Sequence, residues 1–114
     1  MKLYELFNID LEAKELICFV GAGGKTTTMF ILAEILKDLN KKVLVTTSTA
    51  IYKPSKDTYD RIIIEGSNAV IKEFKDINNG SITVAGREIS DENKLLGLSK
   101  TVIEEIYNKK IFDF

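Results

Sequence analysis

The amino-acid sequence contains no histidine and no tryptophan, and it has one cysteine and one proline in 114 residues. Without histidine, the chain lacks the commonest metal ligand and the usual general base of protein sites. The lone Cys18 cannot form a disulfide within the chain, which favours a reducing compartment and predicts a cytoplasmic protein. No apolar run approaches the roughly 20 residues that span a membrane, and the first residues lack the apolar stretch of a signal peptide.

Charge and length narrow the class of protein further. The chain has 16 lysines and arginines against 17 acidic residues, and this balance argues against a nucleic-acid partner because neutralising phosphates needs a basic surface. Hydrophobic residues make up 45% and charged residues 29%, which is typical of a globular protein. The length predicts a single domain over residues 1–114 with a buried core.

Short apolar runs alternate with segments of helical spacing along the chain. The runs end at glycine or polar clusters, as buried strands do, and serine precedes two of the helical segments as a cap. This alternation predicts an α/β fold with βαβ units, in which a mostly parallel sheet carries helices on both faces. The predicted strands are 15–20, 41–48, 61–66 and 81–86. The predicted helices are 25–40, 67–77 (capped by Ser67) and 101–110 (capped by Ser99).

The remaining segments give three further predictions. The polar segments 48–60 and 87–94 are predicted to be loops. The final IFDF predicts the first half of another strand, so we expect the protein to continue past Phe114. The last helix is predicted to bury one apolar face, formed by Val102, Ile103, Ile106 and Tyr107.

The stretch FVGAGGKTTTMF, residues 19–30, lies between a predicted strand and a predicted helix. A standard phosphate-binding loop, G-x-x-x-x-G-K-[ST], would need glycine at position 19, where the chain has Phe19. The spacing from the first glycine to the lysine is therefore two residues short. Glycines let backbone N–H groups converge on phosphate oxygens, and a helix N-terminus adds unpaired donors. The sequence predicts a shortened phosphate loop.

Two other interpretations of this stretch are weaker. A dinucleotide fingerprint, G-x-G-x-x-G, fails at Thr26, and the acidic residue expected after the second strand is replaced by Thr46 and its neighbours. A plain strand-to-helix turn does not require Gly-Lys-Thr-Thr at the start of a helix, where consecutive threonines lose side-chain entropy.

Signals elsewhere in the chain are less specific. The run TTST, residues 46–49, follows the second strand at the sheet edge where open α/β folds bind ligands. Glu65 follows three isoleucines and resembles a magnesium-binding acid, although it also suits a plain turn. Tyr52, Lys53 and Pro54 are placed where they could cover a nucleotide base or ribose.

The motifs VGAGGKTT, VLVTTSTAIYKP, ITVAGRE and KLLGLS, with the terminal FDF, resemble the YqeC family of accessory proteins for selenium-dependent molybdenum hydroxylases. The resemblance covers most of residues 16–114 and corresponds to the N-terminal part of a family member. It implies a P-loop NTPase-like fold of three αβα layers. Family members continue into a Glu-Ala-Asp-Gly motif that would supply the metal-binding acid, and its absence implies an incomplete active site.

The resemblance also implies ligands and partners. These are Mg²⁺ with a nucleoside triphosphate (ATP favoured, GTP and CTP open), and a molybdenum hydroxylase or the proteins that assemble its cofactor. Lys25 would be the catalytic residue and Thr26 the metal ligand. The expected nucleotide-binding residues are Gly21, Ala22, Gly23, Gly24, Lys25, Thr26, Thr27, Thr47 and Thr49.

Two alternative functions stay open at this point. Mur ligases and folylpolyglutamate synthetases carry a similar G-x-x-G-K-T-T loop, which would make the chain a fragment of an ATP-dependent amide ligase. A non-catalytic nucleotide- or anion-binding module is the other alternative. Whether the chain hydrolyses a nucleotide or transfers a phosphoryl group is left undecided by the sequence.

Overall fold

A computed structural model describes residues 25–47, 50–64 and 77–114, and gives side chains for these ranges from Thr27 onward. The predicted strand at 15–20, the apolar segment at 3–9 and the predicted helix at 67–77, apart from its last residue, lie outside the described residues. The described elements are helix α1 (Lys25–Asp38), strands β1 (Lys42–Val45) and β2 (Ala50–Tyr52), a 3₁₀ turn (Lys56–Thr58), strands β3 (Arg61–Ile64), β4 (Ser81–Gly86), β5 (Glu88–Ile89) and β6 (Lys94–Leu96), and helix α2 (Lys100–Asn108).

Three strands form a parallel sheet in the order β1-β4-β3. Val43 of β1 is in register with Ile82 of β4, and Ile63 of β3 with Ala85 of β4. The strands are β-branched and apolar, and β4 is buried over most of its length because it has a neighbour on each side. The prediction of an α/β fold with a parallel sheet is confirmed for these strands.

Helix α1 packs against one face of this sheet. It ends at a tight turn in which Asn40 adopts a left-handed conformation with φ 65°, and the chain then reverses into β1. Every second residue of β1 and β4 points toward the helix, as the period of a strand requires. The resulting α1-side core contains Leu32, Ala33, Leu36, Val43, Val45, Ile82, Val84 and Leu95.

Helix α2 packs against the opposite face and buries Ile106 there. Its cap is confirmed, because the Ser99 hydroxyl oxygen accepts a hydrogen bond from the Val102 amide at 3.3 Å. The prediction that Tyr107 is buried is wrong: its side chain is 48% exposed. A nine-residue helix presents only a narrow stripe to the sheet, and Ile106 is its one buried residue. The α2-side core contains Ile63, Ile77, Ala85, Leu98, Ile106 and Phe112.

A second sheet was not predicted from the sequence. Strands β2, β6 and β5 pair antiparallel in that order, so the two predicted loops at 48–60 and 87–94 each contain a short strand. Leu95 of β6 is fully buried in the α1-side core, and Ile51 of β2 packs against it. Gly86 ends β4 beneath this sheet, and a Cβ there would overlap the Leu95 side chain. Leu95 therefore anchors the second sheet to the α1-side core, and Gly86 leaves the space that the Leu95 side chain occupies.

The terminal segment 111–114 lies along the edge of β1 opposite β4. The amides of Asp113 and Phe114 donate to the Lys42 carbonyl at 2.9 and 3.2 Å, and the Leu44 amide donates to the Phe114 carbonyl at 2.8 Å. The Asp113 carboxylate accepts from the Lys42 amide at 2.9 Å. The bonds of Phe114 follow the parallel pattern, in which one residue bonds to two residues of its neighbour. The segment therefore pairs with β1 like the start of a strand, although it is not regular secondary structure over these residues.

Asp60 connects α1 to the amino end of the sheet. Its carboxylate accepts hydrogen bonds from the Ile82 amide at 2.8 Å and from the Lys37 ammonium group at 3.0 Å. The Asp60 amide in turn donates to the Ile82 carbonyl at 2.9 Å. This reciprocal pair continues the β3–β4 ladder by one residue, with a carboxylate in place of a main-chain acceptor.

Candidate functional site

The N-terminus of α1 lies at the edge of the sheet where the strands end. Because α1 is followed by a short turn into β1, the helix runs antiparallel to that strand, and its first turn lies toward the carboxyl end of β1. In open α/β sheets this edge is where ligands bind. The first four N–H groups of an α-helix have no partner within the helix, and they carry a partial positive charge. The described part of the site is thus an anion-attracting helix end above the strand termini.

The threonines after β1 have different positions at this edge. The Thr46 hydroxyl donates a hydrogen bond to the Ala85 carbonyl at 2.7 Å, so it ties the end of β1 to the end of β4. Thr47 is half-buried directly after it. Thr46 therefore has a structural contact, which the sequence alone did not distinguish from a ligand contact.

Most of the predicted loop is beyond the described residues. Gly21, Ala22, Gly23, Gly24 and Thr49 lie outside them, and so does Glu65. The backbone of Lys25 and Thr26 forms the beginning of α1, so these two residues lie at the helix start as predicted. Thr27 is exposed in the first turn. The roles assigned to these residues stay predictions.

A groove runs beside α1 from its first turn toward its middle. Its far wall is the segment that follows β2 and contains the 3₁₀ turn. The groove has a volume of about 490 Å³, within the range of about 300–1,000 Å³ that is typical of small-ligand sites. It is lined by Thr27, Phe30, Ile31, Glu34, Tyr52, Lys53, Pro54, Ser55 and Thr58.

The walls of the groove are held in place by the core beneath them. Phe30 of α1 is half-buried and packs against the α1-side core, as do Ile51 and Tyr59, which flank the opposite wall. The Thr58 hydroxyl donates to the Ser55 carbonyl at 2.6 Å and closes the 3₁₀ turn. The two walls are therefore fixed independently of any ligand.

Polar groups in the groove are few and distinct in charge. Glu34 supplies an exposed carboxylate from α1, and Lys53 supplies a half-buried lysine from the opposite wall. The Tyr52 ring is 74% exposed, and the Lys94 ammonium nitrogen lies 5.2 Å from its centroid in a cation–π contact. An apolar groove with a few charged groups and an open aromatic ring suits an aromatic ligand that has polar edges.

The sequence indicated one wall of this groove but not the other. Tyr52, Lys53 and Pro54 were predicted to cover a base or ribose, and the structure places all three beside α1. Phe30, Ile31 and Glu34 were given no ligand-binding role. Their signal in the sequence is weak: Glu34 lies one turn after Ile31 on a helix that is otherwise apolar from Met29 to Leu36, and the exposure of Ile31 is seen only in the structure.

Two observations concern the described residues as a whole. Among residues 25–47, 50–64 and 77–114, no three cysteine, aspartate or glutamate side chains cluster closely enough to hold a metal ion. None of the helices described there has the length and apolar character of a membrane-spanning segment.

The fold and this edge define an α/β protein with a parallel three-stranded sheet and a helix N-terminus directed at the strand termini. Comparison with known families makes the class specific. The family model described as "YqeC protein" matches residues 17–112, so the chain belongs to the YqeC family. This confirms the resemblance carried by the glycine loop and the threonine-rich segment.

One curated relative adds detail. The chain is 46% identical over 50 residues to the "Uncharacterized protein YqeC" of Escherichia coli (strain K12). This match covers 41% of the chain and 20% of the relative, so the matched part is about one fifth of the relative's length. No solved structure matches the chain at a significant level.

Proposed function

We propose that the chain binds a magnesium nucleotide, with its phosphates at the N-terminus of α1, as part of an accessory protein. The observation that carries this proposal is the helix start at Lys25, directly after the sequence GAGG and at the carboxyl end of β1. A glycine-rich turn feeding a helix at this edge supplies converging N–H donors for phosphate oxygens.

Each residue of the motif has a chemical role in this proposal. The glycines from Gly21 to Gly24 let the backbone approach the phosphates closely, the Lys25 ammonium group neutralises their charge, and the Thr26 hydroxyl is a ligand for Mg²⁺. The Thr27 amide is a further donor of the first turn, and Thr47 and Thr49, which follow β1 in the sequence, are proposed as additional ligand-binding hydroxyls. Mg²⁺ supplies charge neutralisation at the phosphates when it is bound.

The groove beside α1 supports a nucleotide over a free phosphate. It opens at Thr27, in the first turn of the helix, and extends away from the proposed phosphate site. A ligand held by its phosphates at the helix end therefore has a cavity available for the rest of the molecule. ATP is the favoured nucleotide, with GTP and CTP as alternatives.

Calorimetric titration with Mg-ATP, Mg-GTP and Mg-CTP tests the proposal. The wild-type chain is expected to bind at least one of them, and Lys25→Ala is expected to abolish that binding. Lys109→Ala, at an exposed lysine after α2, is the matched control and is expected to bind normally. At 100 times Kd the ligand should also stabilise the fold by about 2.7 kcal/mol in unfolding experiments. Equal binding by wild type and Lys25→Ala would refute the phosphate loop.

The proposed accessory role rests on the resemblance noted above. We propose that the nucleotide-bound protein acts in the maturation of a selenium-dependent molybdenum hydroxylase or of its cofactor. The test is hydroxylase activity in cells that lack the gene, complemented with the wild-type gene or with the Lys25→Ala variant. If the wild-type gene and the Lys25→Ala variant both restore activity, nucleotide binding is not required for this role. Full activity without complementation would refute the role itself.

A further inference from the structure

From the position and lining of the groove, we infer that it is a nucleoside subsite that selects bases with an exocyclic amino group. This inference rests on the proposed function, because it takes the phosphates to lie at the N-terminus of α1. It goes beyond that function by assigning the base-recognition residues, which are Tyr52 and Glu34.

The first step of the argument is the direction of the groove. Thr27 lies in the first turn of α1 and Glu34 lies farther along the same helix, and both line the groove. At a rise of about 1.5 Å per residue, Glu34 lies about 14 Å along the helix axis from Lys25. One end of the groove therefore adjoins the anion-attracting helix start, and the other end carries a carboxylate.

The second step is the charge of the two ends. An anion is favoured at the helix N-terminus and is disfavoured beside Glu34, which favours a nucleotide with its phosphates at the helix N-terminus, although Lys53 of the opposite wall is also cationic. In that orientation the phosphates lie at Lys25 and the base lies toward Glu34. An ionised carboxylate accepts hydrogen bonds and donates none, so it pairs with amino groups such as those of cytosine and adenine. Uracil has a carbonyl oxygen where cytosine has this amino group, and the carboxylate repels that oxygen.

The third step is the aromatic surface. Tyr52 is 74% exposed, on the face of β2 opposite to the partly buried Ile51. The Lys94 ammonium group lies over one face of this ring, 5.2 Å from its centroid, in a cation–π contact. Phe30 and Ile31 form the apolar wall across the groove. An open ring facing an apolar wall is suited to stacking a base, a contact that every base can make.

The subsite is tested by titrating the chain with Mg-ATP, Mg-CTP, Mg-UTP and magnesium tripolyphosphate. Wild type is expected to bind ATP and CTP about tenfold more tightly than tripolyphosphate, and Tyr52→Ala is expected to remove most of that advantage. Glu34→Gln adds a donor and should shift the CTP-to-UTP affinity ratio toward UTP by roughly fivefold or more. Both variants should bind tripolyphosphate within about twofold of wild type, which also shows that they are folded. The matched controls are Tyr107→Ala and Glu105→Gln, at exposed positions of α2.

The outcomes separate this inference from the proposed function. If tripolyphosphate binds in a Lys25-dependent way but the nucleosides add no affinity, the groove is not a nucleoside subsite and the phosphate loop stands. Unchanged nucleotide ratios in Tyr52→Ala and Glu34→Gln would also overturn the inference. If neither tripolyphosphate nor any nucleotide binds, both the subsite and the proposed function are wrong.

Discussion

Replacing Asp60 with alanine is expected to lower the free energy of unfolding by about 1–3 kcal/mol. In wild type the Ile82 amide donates to the Asp60 carboxylate at 2.8 Å, and Ile82 has no solvent exposure. The variant removes this acceptor. A buried donor left without a partner costs its desolvation energy, and this term dominates the loss. The ion pair with Lys37 adds little because the Asp60 side chain is 42% exposed, and such surface pairs contribute about 0.2–1 kcal/mol.

Asp60→Asn is the matched control. An asparagine side chain keeps an oxygen that can accept from the Ile82 amide, but it has no charge for Lys37. Its loss should therefore be no more than the value of an exposed ion pair, about 0.2–1 kcal/mol. Urea unfolding measures both variants, and with a slope of about 2 kcal/mol/M a loss of 2 kcal/mol shifts the midpoint by about 1 M. Equal losses in the two variants would refute the reasoning, because the ion pair would then carry the effect.

The pH dependence of this contact gives the same account a second check. Burial acts to raise the pKa of Asp60. The hydrogen bonds from the Ile82 amide and from Lys37, together with the charge of the lysine, lower the pKa by more than burial raises it. The pKa therefore lies below its ordinary value of 3.8. A lowered folded-state pKa adds stability above pH 3.8, and this stability is lost as the pH falls through the folded-state pKa. The stability difference between wild type and Asp60→Asn should therefore be constant near neutral pH and shrink below pH 3.8. A difference that grows in acid would contradict this sign.

Three further substitutions test other contacts of the fold. Gly86→Ala should destabilise the chain by about 1–3 kcal/mol in urea unfolding, since the new methyl group overlaps the Leu95 side chain; a neutral result would show that the second sheet is not seated on this glycine. Ser99→Ala should cost about 1 kcal/mol by loss of the α2 cap, and an unchanged midpoint would remove the cap from the account. Thr46→Val should cost about 0.5–1.5 kcal/mol by loss of the bond to the Ala85 carbonyl, yet leave nucleotide affinity unchanged; weaker binding would make Thr46 a ligand.

The first sheet was predictable because its strands carry their own pattern. The strands β1, β3 and β4 are β-branched runs bounded by polar or glycine residues, and α1 has a broad apolar face. Each of these signals is local, so a window of several residues contains it. The structure confirms these elements with boundaries shifted by a few residues. For α1, the helix ends at Asp38, two residues before the predicted end, because Asn40 turns the chain into β1.

The second sheet was missed because its strands are too short to show a period. β2 and β6 have three residues each and β5 has two; β2 pairs with β6 far along the chain, as at Ala50–Leu96, whereas β5 and β6 are joined by a short turn. What holds them is Leu95, whose burial depends on the shape of the core and on the absence of a side chain at Gly86. Neither condition can be seen in a local window of sequence.

The candidate site also has a part that was predictable from the sequence and a part that was not. The position of Lys25 and Thr26 at the start of a helix was predictable from the glycine loop, because that motif has a local physical reason. The groove was only half predictable. Its α1 wall consists of residues that a helical pattern assigns to the core or to solvent, and only tertiary packing places Phe30 and Glu34 opposite Tyr52.

The most direct test of the central claim is an amide NMR titration of the chain with Mg-ATP. The account predicts that the largest shift changes fall on the amides of the glycine loop and of Lys25–Thr27, with smaller changes along the groove at Tyr52 and Thr58. The amides of α2, on the opposite face of the sheet, should not move. Changes confined to α2 or to strands β5 and β6, or no change at saturating nucleotide, would contradict the claim that phosphates bind at the N-terminus of α1.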